Sequence, residues 1–134
     1  MEKALVELTR NSYEPDVCFW GMAKAALIQP DQLYYPAPDL VVEVLLKSTQ
    51  KHDRETKFID YAAHSVAEYW LVDPLRQQIE AFTIDADTDE YEAAGTYTLK
   101  QSIVSKAIPG FIIPVRAVFD KVANMVALQQ LMAP

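Results

Sequence analysis

Apolar residues along this chain follow two different periods. Leu40-Val41-Val42-Glu43-Val44-Leu45-Leu46 is apolar on both alternating sets of positions apart from one carboxylate, the pattern of a central strand covered on both faces. Leu5 to Leu8, Val17-Cys18-Phe19-Trp20 and Glu68-Tyr69-Trp70-Leu71-Val72 predict further strands. Pro15-Asp16 leads into the second of these and Gly21 stops it, while Asp73-Pro74 closes the third; Thr9 to Pro15 reads as a polar loop. Gln78 to Ile84 and Tyr91 to Leu99 read as a hairpin around an acidic turn. From about Gln50 to His64 the spacing changes to three and four, with Phe58, Tyr61, Ala62 and the adjacent Ile59 on the inner face of a helix that Ser48 or Thr49 caps. Met22 to Gln29 predicts a brief helix, and Pro30, Pro36 and Pro38 keep the next stretch irregular. Pro109-Gly110 is a turn, and Pro114 opens a terminal helix with an apolar stripe of Val115, Val118, Phe119, Val122 and Val126. The order predicts a single α/β (α+β) domain over residues 1–134, one mixed sheet with flanking helices.

Composition narrows the function classes. At 134 residues and 51% hydrophobic content, the chain has enough apolar surface for one real core. No run approaches the roughly 18 apolar residues of a membrane span, and Met1-Glu2-Lys3 leads into a strand-like run, not a signal-peptide core. One cysteine, Cys18, rules out an intrachain disulfide and fits a reducing compartment, so a cytoplasmic location is expected. The net charge of −7 argues against a strong non-specific nucleic-acid binder. Basic character is local: Lys47, Lys51, His52, Arg54 and Lys57 cluster after the central strand.

Glu43 is the most informative residue, because a carboxylate buried in an apolar strand must be neutralised, paired or bound to a metal. A place at the strand's exposed end, or a lysine partner from a neighbouring helix, explains it equally well. Asp16 opens a short strand after proline; a turn residue is the ordinary reading of that position. Taken with Glu43 on a neighbouring strand, it makes a hard-oxygen site suited to Mg²⁺. Such an ion would polarise a phosphodiester and acidify a bound water. Asp53, Lys57 and Tyr61 share a helix face at intervals of four, so Lys57 can fold back over the carboxylates; the competing reading is a solvated Asp53–Lys57 ion pair.

Other chemistries find no support. Asp85, Asp87 and Asp89 imitate the start of a calcium loop, but Glu90 stands where glycine is required and Thr96 where a bidentate glutamate is. His52 and His64 lack metal-ligand spacing, and Cys18 in its apolar run reads as a core residue. Three glycines form no phosphate-cradling loop, and no serine nucleophile elbow is present.

Several segments together resemble the Uma-two restriction endonuclease family of the PD-(D/E)xK nuclease superfamily. They are Tyr13-Glu14-Pro15-Asp16-Val17, Ala37-Pro38-Asp39 running into the central strand, Ser48-Thr49, Asp53-Arg54, Lys57, Tyr61, Glu68 to Pro74, and Ile108-Pro109-Gly110-Phe111. The resemblance spans Arg10 to Asp120, and its specificity lies in the combination. It implies a restriction-endonuclease-like sheet core and a metal-dependent phosphodiesterase site acting on DNA. Asp16 and Glu43 would ligate Mg²⁺ (or Mn²⁺), with the backbone carbonyl of Val44 as a further ligand. The superfamily's lysine stands two residues after the glutamate, where this chain has Leu45; the family's lysine on the following helix maps to Lys57. Family members usually read Leu-Ser-Pro-Ser-Thr after the glutamate, and here the residues are Leu45-Leu46-Lys47-Ser48-Thr49. They also usually carry an amino-terminal segment that adds an acidic residue to the site, so a truncated copy is expected. The alternatives to an active endonuclease are a catalytically inactive module of the same fold that binds a partner, and a homodimer seeded by the apolar terminal helix.

Overall fold

The computed structural model describes residues 4–133; the lead-in Met1-Glu2-Lys3 lies outside them. Five strands form the main sheet: β3 (Val17–Phe19), β5 (Leu40–Val44), β6 (Glu68–Asp73), β7 (Gln78–Asp85) and β8 (Glu90–Tyr97). They lie in the order β3-β5-β6-β7-β8, with β5 and β6 parallel and the other neighbours antiparallel. Joining β5 to its parallel neighbour are α2 (Gln50–Arg54) and α3 (Thr56–Ala63). The expected mixed sheet with flanking helices is therefore present.

Every residue of β6 is buried, and its alternating side chains serve two different cores. Tyr69 and Leu71 join Val41, Tyr61 and Tyr91 beneath α3, while Trp70 and Val72 join Leu40, Ile79, Ile103 and Val115 on the opposite face. Glu43 shares its parity with Val41, which places it on the α3 side. Aromatic rings dominate that side: Phe58 meets Phe82 and Tyr91 edge-on at 4.9 and 5.2 Å between centroids.

Two smaller sheets flank the first. β1 (Leu5–Glu7) pairs antiparallel with β2 (Ser12–Tyr13) and parallel with β4 (Tyr34–Tyr35). Ser12 and Tyr13 therefore belong to a strand, not to the polar loop expected there; a tight return, with the Leu8 N–H donating to Asn11 O at 2.9 Å, brings them back onto β1. Asp60 on α3 ties this sheet to the helix, accepting from the Tyr13 hydroxyl at 2.8 Å and from Asn11 at 2.9 Å. On the other face β9 (Ser102–Val104) pairs with β10 (Ile112–Pro114). Glu68, only 2% exposed, holds the loop between them. Its carboxylate accepts from the Ser105 hydroxyl (2.7 Å), the Trp70 indole (2.9 Å) and the main-chain N–H groups of Lys106 and Ala107.

Several boundaries differ from expectation. The helix after Gly21 is a single turn, α1 (Met22–Ala25). The helix expected from Gln50 to His64 breaks at Glu55 (φ −113°, ψ −75°), where the Tyr69 hydroxyl donates to the Asp53 carbonyl at 2.9 Å; a side chain inserted into the ladder interrupts it. Thr49 occupies the cap position without capping: its hydroxyl reaches the Asp53 side chain instead. Ile59 is 68% exposed and not inward; it borders a cavity of about 440 Å³ between α3 and the β7–β8 turn. Pro114 ends β10, and the terminal helix comes in two pieces, α4 (Arg116–Phe119) and α5 (Lys121–Met132), the second capped by the Asp120 carboxylate. The expected stripe divides: Val115 is buried, whereas Val118, Val122 and Val126 face solvent and Ala127 is the buried residue of α5.

Candidate active site

Strand register brings the two acidic candidates together. β3 and β5 pair antiparallel with Val17 opposite Val42, so one step further along the pair Asp16 lies opposite Glu43. Each carboxylate then bonds the other residue's strand. The Asp16 N–H donates to Glu43 Oε1 at 2.9 Å, and the Val44 N–H donates to Asp16 Oδ2 at 2.8 Å. Asp16 remains exposed while Glu43 is 2% exposed. One carboxylate thus faces the solvent and the other forms the floor behind it.

Lys57 closes the floor from α3. Its ammonium donates to Glu43 Oε2 at 2.6 Å and lies 3.0 Å from Asp53 Oδ1. The Tyr13 ring is 5.7 Å from the same nitrogen, within cation–π reach. Two of the readings open to Glu43 are thus met at once: it is buried in the central strand, and it is paired with a helix lysine. Asp53 is also buried, so the Asp53–Lys57 pair is not a solvated one. Sequence reasoning did not place this carboxylate in the site; its spacing of four from Lys57 was the one signal that pointed to it.

Burial pushes the Glu43 carboxyl above the ordinary glutamate range, opposed by the Lys57 hydrogen bond and the Asp16 N–H. For Lys57, burial works against the charged form, but its contacts with both carboxylates outweigh that and hold its pKa above the ordinary lysine value. Cys18, whose neighbour across the strand pair is Val41, packs against the core, and burial pushes its thiol up to about 11. A thiolate nucleophile is not part of this site.

The basic cluster is divided by the fold. Arg54 turns away to pair with Glu80, and Lys57 turns inward. Lys47, Lys51 and His52 stay exposed on the segment that follows β5.

The donor set suits a hard divalent cation. Asp16, Glu43 and Asp53 together with the Lys57 ammonium sum to two negative charges when all are ionised, the amount such an ion neutralises. Among the described residues no group of three or more His, Cys, Asp or Glu side chains is arranged to hold a metal. Mg²⁺ asks for less, since it keeps several waters and is commonly held by one or two carboxylates plus substrate phosphate.

Comparison with known proteins decides the family. The Uma2 family model, described as "Putative restriction endonuclease", matches residues 3–116. The chain belongs to the Uma-two family. Uma-two membership agrees with the structural comparison. A solved structure described as a putative nuclease belonging to DUF820, from Anabaena variabilis, matches with a TM-score of 0.70 at 14% identity. The match covers 89% of this chain and 66% of that one, so this Uma-two chain spans just under two thirds of its neighbour's length. At that identity the likeness is one of fold. No curated protein matches the sequence. Among the described residues no helix is long and apolar enough to cross a membrane.

Proposed function

We propose that this Uma-two chain is a Mg²⁺-dependent endonuclease that hydrolyses DNA phosphodiester bonds with water. The observation that carries this reading is the Asp16–Glu43 carboxylate pair, set across two adjacent strands with the Lys57 ammonium 2.6 Å from Glu43. Asp16, Glu43 and the backbone carbonyl of Val44 would hold Mg²⁺, or Mn²⁺ in its place. When bound, the cation supplies electrophilic polarisation of the phosphodiester and acidifies a water.

The chain's own residues do the rest. Lys57 orients the attacking water and offsets the negative charge that builds on the phosphoryl oxygens, a role suited to a fixed, partly desolvated cation. Tyr13 and Tyr61, whose tilted rings meet at 5.3 Å between centroids, wall the floor of the site against bulk water. Exposed Lys47 and Lys51 contact substrate phosphates on the rim. With a net charge of −7 the remaining surface repels the duplex, so attraction is confined to the few basic residues of the rim and non-specific binding is weak. The reaction belongs to the cytoplasm.

A second reading has one observation of its own. Lys57 already neutralises Glu43, and the carboxylate pair is smaller than a self-sufficient metal cage. That arrangement also suits a catalytically inactive nuclease-fold module whose role is binding or oligomerisation. Under either reading a homodimer across the exposed apolar face of α5 is the pairing we propose.

Nicking of supercoiled plasmid in Mg²⁺, in Mn²⁺ and in EDTA separates the two. Cleavage that requires the cation supports the endonuclease; cleavage absent in all three conditions leaves the binding module.

A further inference from the structure

Asp53 is a second buried carboxylate within reach of the Lys57 ammonium. Its main chain is fixed on both sides, the N–H donating to the Thr49 carbonyl at 3.0 Å and the carbonyl accepting the Tyr69 hydroxyl at 2.9 Å. Its side chain is buried, and Oδ1 is ion-paired with the Lys57 ammonium 3.0 Å away. The other oxygen has only a long contact of 3.4 Å with the Thr49 hydroxyl. The shorter contact of Lys57 is with Glu43 Oε2, at 2.6 Å. Here one ammonium stands between two buried carboxylates and is shared by both.

We infer that Asp53 is a positioning residue, a second seat that receives the Lys57 ammonium when Glu43 turns to a divalent cation. The inference rests on the proposed role of Glu43 as a ligand. A cation at Glu43 repels the ammonium 2.6 Å from that carboxylate. Without Asp53 the displaced ammonium would be left partly buried and unpaired, a state that opposes its displacement. With Asp53 the move is short, because Oδ1 is already ion-paired with Nζ at 3.0 Å. Lys57 thereby stays charged and beside the site while Glu43 is freed. The backbone bonds from Thr49 and Tyr69, together with the break at Glu55, hold the second seat at the depth of the first.

The test is a double-mutant cycle on Mn²⁺ affinity, read by calorimetry on the full chain: wild type, Asp53→Asn, Lys57→Met and the double variant. Asp53→Asn is expected to weaken Mn²⁺ binding about tenfold in the wild-type background, and by less than about twofold when Lys57 is already methionine. Equal weakening in both backgrounds means that Asp53 acts through its charge alone and overturns the inference, as does no weakening in either. A wild-type chain that binds no Mn²⁺ fails at an earlier point, sinking the ligand assignment and the inference with it. Acetylation of Lys57 in the wild-type chain, followed by mass spectrometry, decides the matter even where Asp53→Asn does not fold. Lys57 should stay protected after Mg²⁺ is added; labelling that rises with Mg²⁺ means that the ammonium has been expelled to solvent, with no second seat.

Discussion

Replacing Lys57 with methionine keeps the stem of the side chain and removes its charge. Glu43 Oε2 then loses a 2.6 Å hydrogen bond and Asp53 Oδ1 loses its cation at 3.0 Å, at residues almost without solvent contact. Breaking a buried pair by removing one partner typically costs about 3–5 kcal/mol. Protonation sets a ceiling on the Glu43 share. Binding a proton at pH 7 by a carboxyl with the ordinary value of 4.5 costs about 3.4 kcal/mol, and at pH 5 about 0.7 kcal/mol. The Glu43 share of the loss on Lys57→Met is therefore expected to be about 3 kcal/mol at pH 7 and to shrink below about 1 kcal/mol at pH 5.

The sign comes from linkage. Burial already raises the Glu43 pKa in the folded chain, and removing Lys57 takes away the strongest influence that lowers it. A group whose folded pKa lies above its unfolded value contributes stability that is present below the unfolded value and lost as pH rises through the folded one. The variant should thus weaken progressively from about pH 5 toward neutrality relative to wild type. Urea unfolding followed by the fluorescence of Trp20 and Trp70 at pH 5 and pH 7 measures this directly. A loss that is the same at both pH values, or smaller than about 0.5 kcal/mol at pH 7, would refute the picture of Glu43 as a buried carboxylate sustained by Lys57.

Other parts of the molecule carry three further expectations. Glu68→Gln replaces an acceptor of four donor groups with an amide whose NH₂ faces them, and thermal unfolding should show a loss of about 2–4 kcal/mol; a loss below about 1 kcal/mol would mean the loop between β9 and β10 is held by something else. Burial raises the hydroxyl pKa of Tyr13, Tyr61, Tyr69 and Tyr91 and pushes the Cys18 thiol up to about 11, so their contribution to stability is present at neutral pH and lost as pH rises through those folded values. The tyrosinate absorbance of those four rings should appear only when circular dichroism reports unfolding, and their ionisation ahead of unfolding would contradict their burial. Val122, Met125, Val126 and Met132 line the outer side of α5, so Met125→Glu should turn a dimer into a monomer by light scattering; a wild-type chain already monomeric at high micromolar concentration would remove the proposed interface.

The sequence was most legible where one residue contradicted its surroundings. Glu43 inside an apolar strand announced a paired or metal-binding carboxylate, and its burial in β5 has the same cause as the pattern that made the strand readable. Asp16 and Lys57 were placed beside it by resemblance and helix spacing, and strand register and the 2.6 Å contact bring all three together. The features that stayed hidden depend on long-range partners. The break at Glu55 arises from a tyrosine on β6, and Ser12–Tyr13 becomes a strand only because β1 is there to pair with it. β9 and β10 are three residues each and take their place from the Glu68 carboxylate, which lies more than thirty residues away in sequence. Helical periodicity likewise located the apolar positions of α5 but not which side of the helix packs against the fold. Val122 and Val126 have the right spacing, yet the helix buries its alanine side and leaves the larger residues outside.

A cation-dependent phosphodiesterase built on Asp16, Glu43 and Lys57 should nick DNA only with its cation present and its carboxylate and lysine intact. Supercoiled plasmid is incubated at low salt with Mg²⁺ and the wild-type chain, Glu43→Gln or Lys57→Ala, with EDTA controls and equal folded fractions confirmed by circular dichroism. The wild-type chain is expected to nick the plasmid, EDTA to abolish the nicking, and both variants to lose it by at least about a hundredfold. Nicking that persists in Glu43→Gln, or that survives EDTA, would contradict it.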